Sequence, residues 1–168
     1  MAIQGEGFFQ IRRPDGTIAY SRDGSLKLSA DGMLVTGQGY PVEPQVTLPA
    51  ETTAISIGRE GLIEATTVGS SLPVKVGQFE LAKFVNPAGL SSIGNNLYVE
   101  TAASGAPILG SAGSEGFGEM LQGQLEASNV DVVEEMVNMI TAQRAYEINS
   151  KTVQTVDNML SIATNLRR

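Results

Sequence analysis

Residues 128–168 read SNVDVVEEMVNMITAQRAYEINSKTVQTVDNMLSIATNLRR, and this stretch decides how the chain is organised. It contains neither glycine nor proline, whereas all 19 glycines and all 7 prolines lie before it. Because glycine and proline disfavour helix interiors, the contrast predicts one long terminal helix that follows a strand-rich region. Asp131 and Glu134 have the spacing of a capping box, so we expect the helix to begin after Asp131.

The predicted helix carries apolar residues at strict seven-residue spacing, which is typical of a coiled-coil seam. The seam consists of Val132, Met139, Tyr146, Val153 and Leu160, and it is widened by Met136, Ile140 and Val156. A helix over about 132–166 is roughly 50 Å long, which is more than a small β domain can cover on one side. We therefore predict that these eight residues form an assembly interface. A core helix that packs on its own domain is the alternative.

Asp-Gly pairs recur every eight residues in the first part of the chain, at Asp15-Gly16, Asp23-Gly24 and Asp31-Gly32. Asp-Gly between alternating runs indicates a hairpin with a type I′ turn, which needs positive φ at both central residues. We therefore predict structural turns at Gly16, Gly24 and Gly32. Calcium binding is a weak rival, because each eight-residue unit supplies one acid and calcium takes six to eight oxygen ligands.

The turns predict a small antiparallel meander with one apolar face. That face is expected to show Ile18 and Tyr20 on one strand and Leu26 and Leu28 on the next. Further along, we expect a hairpin of strands 54–58 and 62–67, a long strand 74–85 bent near Gly77, a loop or linker over 101–118 and a last strand over 120–126.

The predicted fold class is mainly β with one long C-terminal α-helix: an antiparallel β-hairpin and meander domain plus a coiled-coil-like terminal helix. The predicted division is a β-rich domain at 1–110, a connector with the last strand at 111–130, and an assembly helix at 131–168.

The composition excludes several classes of function. The chain has no cysteine, histidine or tryptophan, so disulfides, thiolate nucleophiles, Cys/His zinc sites and Ser-His-Asp triads are impossible. Eleven basic residues against eighteen acidic ones give a net charge of −7, which disfavours nucleic acid as a partner. No run is long and apolar enough for membrane insertion. We predict no catalytic, cofactor-binding or metal-binding residues, and no enzymatic activity.

Three stretches carry a resemblance to a known family. They are Ala2–Phe9 (AIQGEGFF), Gly94–Tyr98 (GNNLY) with the Ser104-Gly105 loop after it, and Leu125–Ile140 with its continuation Gln143–Lys151. Together they resemble the bacterial flagellar axial proteins, the rod and hook family. Within the third stretch, Arg144–Ser150 (RAYEINS) is most similar to the distal-rod members of that family.

The resemblance implies a structural subunit that polymerises helically into a rigid drive shaft and transmits torque from motor to hook. It implies terminal helices in the inner layer and the β domain as the outer domain. The implied partners are further copies of the chain, other rod and hook subunits, and the surrounding basal-body ring proteins. The implied location is the periplasm-spanning rod, reached by type III export without a cleavable signal peptide.

Family members begin with a helical segment that pairs with the C-terminal helix. The present sequence opens at the Gly-Phe-Phe motif, so we expect it to lack that N-terminal segment. Two alternatives stay open: a hook or proximal-rod subunit of the same family, and a secreted β-sheet recognition module with a coiled-coil stalk.

Overall fold

The computed structural model describes residues 1–69 and 72–165. The chain forms two compact units, residues 1–126 and residues 127–168. In the described residues, the first unit holds fourteen strands and the second holds one α-helix. The fold class predicted from the sequence is confirmed: antiparallel sheets precede a single long C-terminal helix.

The strands are short, and tight turns separate many of them. In chain order they are β1 (Ala2–Gln4), β2 (Phe8–Arg12), β3 (Ile18–Ser21), β4 (Lys27–Leu28), β5 (Leu34–Val35), β6 (Val42–Glu43), β7 (Thr52–Ile57), β8 (Leu62–Thr67), β9 (Val74–Gln78), β10 (Glu80–Lys83), β11 (Ser91–Gly94), β12 (Leu97–Val99), β13 (Ile108–Ser111) and β14 (Glu119–Leu121). A 3-10 turn at Pro87–Gly89 lies where Asn86-Pro87 predicts a turn.

The strands form four antiparallel sheets within the described residues. The largest has the order β11-β12-β3-β2-β10-β13, with β6 also paired to β2. A second sheet has the order β7-β8-β9, and two ribbons pair β1 with β14 and β4 with β5. Because β1 pairs with β14, the two ends of the strand-rich unit meet.

Apolar side chains from several sheets share one core. Phe9 from β2 and Ile63 from β8 are fully buried, and Phe79 packs edge-on against Phe9 with ring centroids 6.0 Å apart. A smaller cluster on the largest sheet contains Tyr20, Ala82 and Phe84. The strand-rich unit therefore has a hydrophobic core of its own.

Four hairpin loops share one geometry, in which the third loop residue is a glycine with left-handed φ. Their glycines are Gly16, Gly32, Gly39 and Gly61, with φ between 75° and 88°. Each glycine amide donates a hydrogen bond of 2.9–3.0 Å to the carbonyl three residues earlier. This is the three-residue hairpin loop, in which a turn is followed by a glycine bulge.

The type I′ prediction is wrong at the Asp-Gly pairs, because the aspartates do not adopt positive φ. Asp15 instead accepts hydrogen bonds from the amide (3.0 Å) and the hydroxyl (2.6 Å) of Thr17, which holds it in an Asx turn. Among the described residues, the non-glycine positions with positive φ are Asn95 (54°) and Asn96 (59°), between β11 and β12. The two-residue hairpin turn therefore lies at Asn-Asn.

Gly24 does not close a hairpin. It lies between β3 and β4, which belong to different sheets, and its φ is not left-handed. Asp23 accepts a hydrogen bond of 2.9 Å from the amide of Ser25, and the backbone of Met1 approaches Gly24 so closely that a Cβ would clash with it. Glycine is therefore required at this position because the Met1 backbone leaves no room for a side chain.

The single apolar face predicted for the meander is not observed. In β3, the successive residues Ala19, Tyr20 and Ser21 are all buried, so side chains on both faces of the strand are shielded from solvent. The strand also has a hydrogen-bonded neighbour on each edge, β12 and β2. In contrast, Leu28 on the β4–β5 ribbon is half exposed. Alternation fails on β3 because both of its faces are buried.

Three further strand predictions are tested by the sheets. The β7–β8 hairpin around Arg59–Gly61 is observed as predicted. The long strand 74–85 is two strands, since β9 pairs with β8 whereas β10 pairs with β2 and β13. The loop predicted over 101–118 contains β13, and the last strand is shorter than predicted, ending at Leu121.

Candidate assembly surface

The helix α1 spans Val132–Asn165, which is about 50 Å at 1.5 Å per residue. Asp131 is its N-cap: the Asp131 carboxylate accepts a hydrogen bond of 2.8 Å from the amide of Val133. Glu134 and Glu135 in the first turn place negative charge at the positive end of the helix dipole. In the sequence, Arg167 and Arg168 stand where basic residues would favour the negative end of the helix dipole, and both lie outside the described residues.

Each residue of the predicted assembly interface lies on α1 with its side chain exposed. The exposed fractions run from 49% at Val156 to 77% at Tyr146, and the set also contains Val132, Met136, Met139, Ile140, Val153 and Leu160. Full burial of such a side chain contributes about 1.5–3 kcal/mol. The helix thus presents apolar surface whose burial would be strongly favourable.

The apolar surface of α1 is wider than the seven-residue pattern indicates. Val133, Val137, Ile148 and Ile162 are also large, apolar and exposed, at 55–70%. Exposed apolar surface of this extent marks interaction sites in soluble proteins. A strict heptad search omits these four residues because none of them belongs to a column that stays apolar along the whole helix.

Three threonines of α1 bond back to the helix's own backbone. Thr141, Thr152 and Thr155 each donate a hydrogen bond of 2.8 Å to the carbonyl four residues earlier. Such bonds satisfy the hydroxyl groups locally and bend helices slightly. The hydroxyl groups of these three threonines are therefore satisfied within the helix.

Three titratable side chains of the strand-rich unit, Asp15, Tyr20 and Asp23, have shifted pKa values that follow from turn hydrogen bonds or burial. The pKa of Asp23 is lowered, chiefly because Ser25 donates hydrogen bonds to its carboxylate. The pKa of Asp15 is lowered by the corresponding hydrogen bonds from Thr17. Burial raises the pKa of Tyr20, with a further contribution from the charge of Glu100. These groups stabilise turns and the core.

Neither a metal site nor a membrane span is found in the part of the chain that the structure describes. No group of three or more acidic side chains converges there closely enough to hold an ion. The described portion of α1 is too polar to meet the criteria for a helix that crosses a bilayer.

Two protein-family models match the chain at its two ends. Residues 2–65 match the D1 domain of the flagellar hook protein FlgE/F/G. Residues 121–166 match the C-terminal domain of the flagellar basal body rod FlgEFG proteins, and this range includes all of α1.

Curated relatives agree with these matches. The chain is 55% identical to the flagellar basal-body rod protein FlgG of Borreliella burgdorferi over 170 aligned residues, which cover 100% of the chain and 64% of the relative. It is 51% identical to FlgG of Buchnera aphidicola subsp. Acyrthosiphon pisum, over 99% of the chain and 64% of the relative. The flagellar hook protein FlgE of Salmonella typhimurium is 43% identical over 71% of the chain and 29% of the relative. The chain thus spans about two thirds or less of the length of these proteins.

Proposed function

Because the chain belongs to the flagellar hook and basal-body rod protein family, we propose that it is a structural subunit of the flagellar distal rod. In this role it polymerises helically into a rigid shaft that transmits torque from motor to hook. The observation that carries the proposal is the exposed apolar surface of α1, in the segment that matches the rod C-terminal model. Long helices with interdigitated side chains resist sliding, which a shaft under torque requires.

The proposed partners are further copies of the chain, neighbouring rod and hook subunits, and the ring proteins around the rod. The proposed location is the periplasm-spanning rod, reached by export without a cleavable signal. In the proposed arrangement α1 belongs to the inner layer, and residues 1–110 form the outer domain, joined through 111–130 to the helix at 131–168.

The relatives favour a rod subunit over a hook subunit. FlgG proteins align with 95–100% of the chain, whereas the hook protein aligns with 71%. A secreted recognition module with a coiled-coil stalk is not favoured, since both ends of the chain match flagellar models. An enzymatic role is not proposed either, because the relatives are named as rod and hook proteins.

The proposal is tested by substitutions in the native gene that place charge in the apolar seam of α1. Met139→Glu combined with Val153→Glu puts two carboxylates on the apolar column, where burial in a subunit contact would be costly. We expect loss of motility and loss of rods from purified basal bodies, as seen by electron microscopy.

The matched control is Asn138→Glu combined with Gln154→Glu, which adds the same charge at exposed polar positions one residue away. We expect swimming cells and normal rods from this strain. Normal rods in the Met139→Glu/Val153→Glu strain would show that the seam is not an assembly surface.

A further inference from the structure

Methionine supplies a large share of the apolar surface of α1. Three of the chain's six methionines, Met136, Met139 and Met159, lie within the 34 residues of the helix, whereas leucine occurs there only at position 160. These three methionines are 59%, 61% and 64% exposed. Among the aliphatic side chains of this surface, methionine alone carries an atom that mild oxidants attack, the polarizable sulfur of its thioether.

Met120 has the opposite environment. It lies on β14, is 1% exposed and belongs to the hydrophobic core of the strand-rich unit. Its sulfur packs against the β7–β8 hairpin, so closely that a Cβ added to Gly61 would lie 3.2 Å from it. Because a protein interior is close-packed, a peroxide molecule does not reach such a sulfur while the core is folded. The folded chain therefore separates the accessible thioethers of α1 from a shielded thioether in the core.

Oxidation of a methionine transfers one oxygen atom to its sulfur. With hydrogen peroxide, the O–O bond breaks, an S–O bond forms and one molecule of water leaves, so the sulfur loses the two electrons that the peroxide gains. The product, methionine sulfoxide, is polar, and its oxygen accepts hydrogen bonds. A dithiol-dependent sulfoxide reductase reverses the step with two electrons and two protons, and it releases the oxygen as water.

A sulfoxide at Met136 or Met139 puts a polar oxygen into the candidate assembly surface. Both residues belong to the predicted interface, and their i, i+3 spacing makes their side chains neighbours on the helix surface. Burying a polar oxygen in an apolar contact without a hydrogen-bond donor is costly. Oxidation therefore opposes a contact through this surface, whereas a contact that has already formed shields the same sulfurs from the oxidant.

We propose that Met136, Met139 and Met159 form an oxidation site that couples the redox state of the unassembled chain to its assembly. Peroxide converts these methionines to sulfoxides while α1 is exposed, and the sulfoxides exclude the chain from the rod. This inference rests on the proposed rod function and adds a chemical control of the same surface.

The modification is tested by mass spectrometry of each methionine after timed exposure to hydrogen peroxide. Three samples are compared: the folded chain, the chain unfolded in urea, and purified rods from cells with the native gene. In the folded chain we expect the three helix methionines to be oxidised roughly tenfold faster than Met120, because the core shields its sulfur. In urea the four rates should be equal, and in rods the helix methionines should be slowed roughly tenfold by burial.

Two results of this experiment would overturn the proposal. Equal rates for Met120 and the helix methionines in the folded chain would contradict selective oxidation. Oxidation of the helix methionines that is as fast in purified rods as in the free chain would show that assembly does not shield them. The rods themselves would still support the proposed function.

The effect on assembly is tested with glutamine, which imitates the polarity of the sulfoxide and has a helix propensity close to that of methionine. In the native gene, we expect Met136→Gln combined with Met139→Gln to reduce the rods in purified basal bodies roughly tenfold, with a matching loss of motility. The matched control is Asn138→Gln combined with Asn149→Gln, which places the same amide side chains at exposed polar positions of α1. We expect normal rods from the control strain.

The Met139→Glu/Val153→Glu strain separates this proposal from the rod function. Rods in the Met136→Gln/Met139→Gln strain, together with loss of rods in the double-charge strain, would retain the assembly surface and overturn the oxidation proposal. Rods in both strains would contradict the assembly surface and, with it, the oxidation proposal. Loss of rods in the Asn138→Gln/Asn149→Gln control would contradict the effect assigned to polarity at the methionine positions.

Discussion

Arg22 connects parts of the strand-rich unit that are distant in sequence. Its guanidinium donates hydrogen bonds of 3.0–3.1 Å to the carbonyls of Ile3, Gly5 and Gly7, and it pairs with the carboxylate of Glu126 at 2.8 Å. It also lies over the ring of Phe8, 5.9 Å from the centroid. These contacts fix the segment between β1 and β2 and tie it to the end of the unit.

Replacing Arg22 by lysine keeps the charge and removes the planar array of donors. A lysine cannot reach three carbonyls and a carboxylate together, so we expect Arg22→Lys to lower the free energy of unfolding by about 1–3 kcal/mol. The measurement is urea unfolding followed by circular dichroism.

The control for Arg22 is Arg12→Lys. Arg12 pairs with Glu43 at 2.6 Å, but its side chain is half exposed. We expect a loss below about 1 kcal/mol, because exposed ion pairs contribute little. Equal losses from the two lysine variants would contradict the role assigned to Arg22.

The role of Arg22 could not be predicted from the sequence. Three of its acceptors are backbone carbonyls, which carry no residue signature, and Glu126 is 104 positions away. The residues that periodicity does reveal are those of the helix, where the contacts that define the pattern lie within a few residues of one another.

A comparison of two hairpin glycines distinguishes the cost of backbone strain from the cost of a steric clash. Gly16 and Gly32 both have left-handed φ, at 83° and 75°. A Cβ on Gly16 would meet nothing within 4 Å, whereas a Cβ on Gly32 would lie 2.6 Å from the carbonyl oxygen of Leu48. A side chain is therefore harder to accommodate at Gly32 than at Gly16, although the two loops have the same geometry.

We expect Gly16→Ala to destabilise the strand-rich unit by about 1–2 kcal/mol, the cost of a left-handed alanine. Gly32→Ala should cost more, because the Leu48 backbone has to move as well. Gly37→Ala is the control, since its φ is not left-handed and its Cβ would meet nothing within 4 Å. Thermal unfolding should show the largest loss of stability for Gly32→Ala, a smaller loss for Gly16→Ala and the smallest for Gly37→Ala. A Gly16→Ala loss equal to that of Gly32→Ala would mean that strain alone decides.

The sequence predicts elements well where signals are local, and less well where partners are remote. The β7–β8 hairpin and the start of α1 follow from a turn glycine and a capping aspartate. The division of 74–85 into two strands does not, because it arises where the chain leaves one sheet and joins another at Phe79. Likewise β13 has a loop-like composition and is a strand because β10 offers it a free edge.

The candidate surface was predicted in part for the same reason. Seven-residue spacing reveals the column from Val132 to Leu160 without any structure. The wider apolar surface, which includes Val133 and Val137, follows only once α1 is known to be one uninterrupted helix with exposed side chains.

The two units of the chain draw their stability from different sources. The strand-rich unit buries a core that includes Phe9, Ile63 and Leu81. All described side chains of α1 from Val132 to Ile162 are exposed. An isolated helix without tertiary packing is marginal, so we expect α1 to depend on its cap and on association between chains.

We therefore expect two transitions when the purified chain is heated. The first is the broad loss of helix, and its midpoint should rise with protein concentration, because association stabilises only the folded helix. The second is the cooperative unfolding of the strand-rich unit, which should not depend on concentration. Circular dichroism at 222 nm over about a hundredfold range of concentration separates them. Residues 1–126 alone provide the control and should show only the second transition, at an unchanged temperature. A concentration-independent first transition would contradict association through α1, and a 1–126 chain without cooperative unfolding would contradict an independent core.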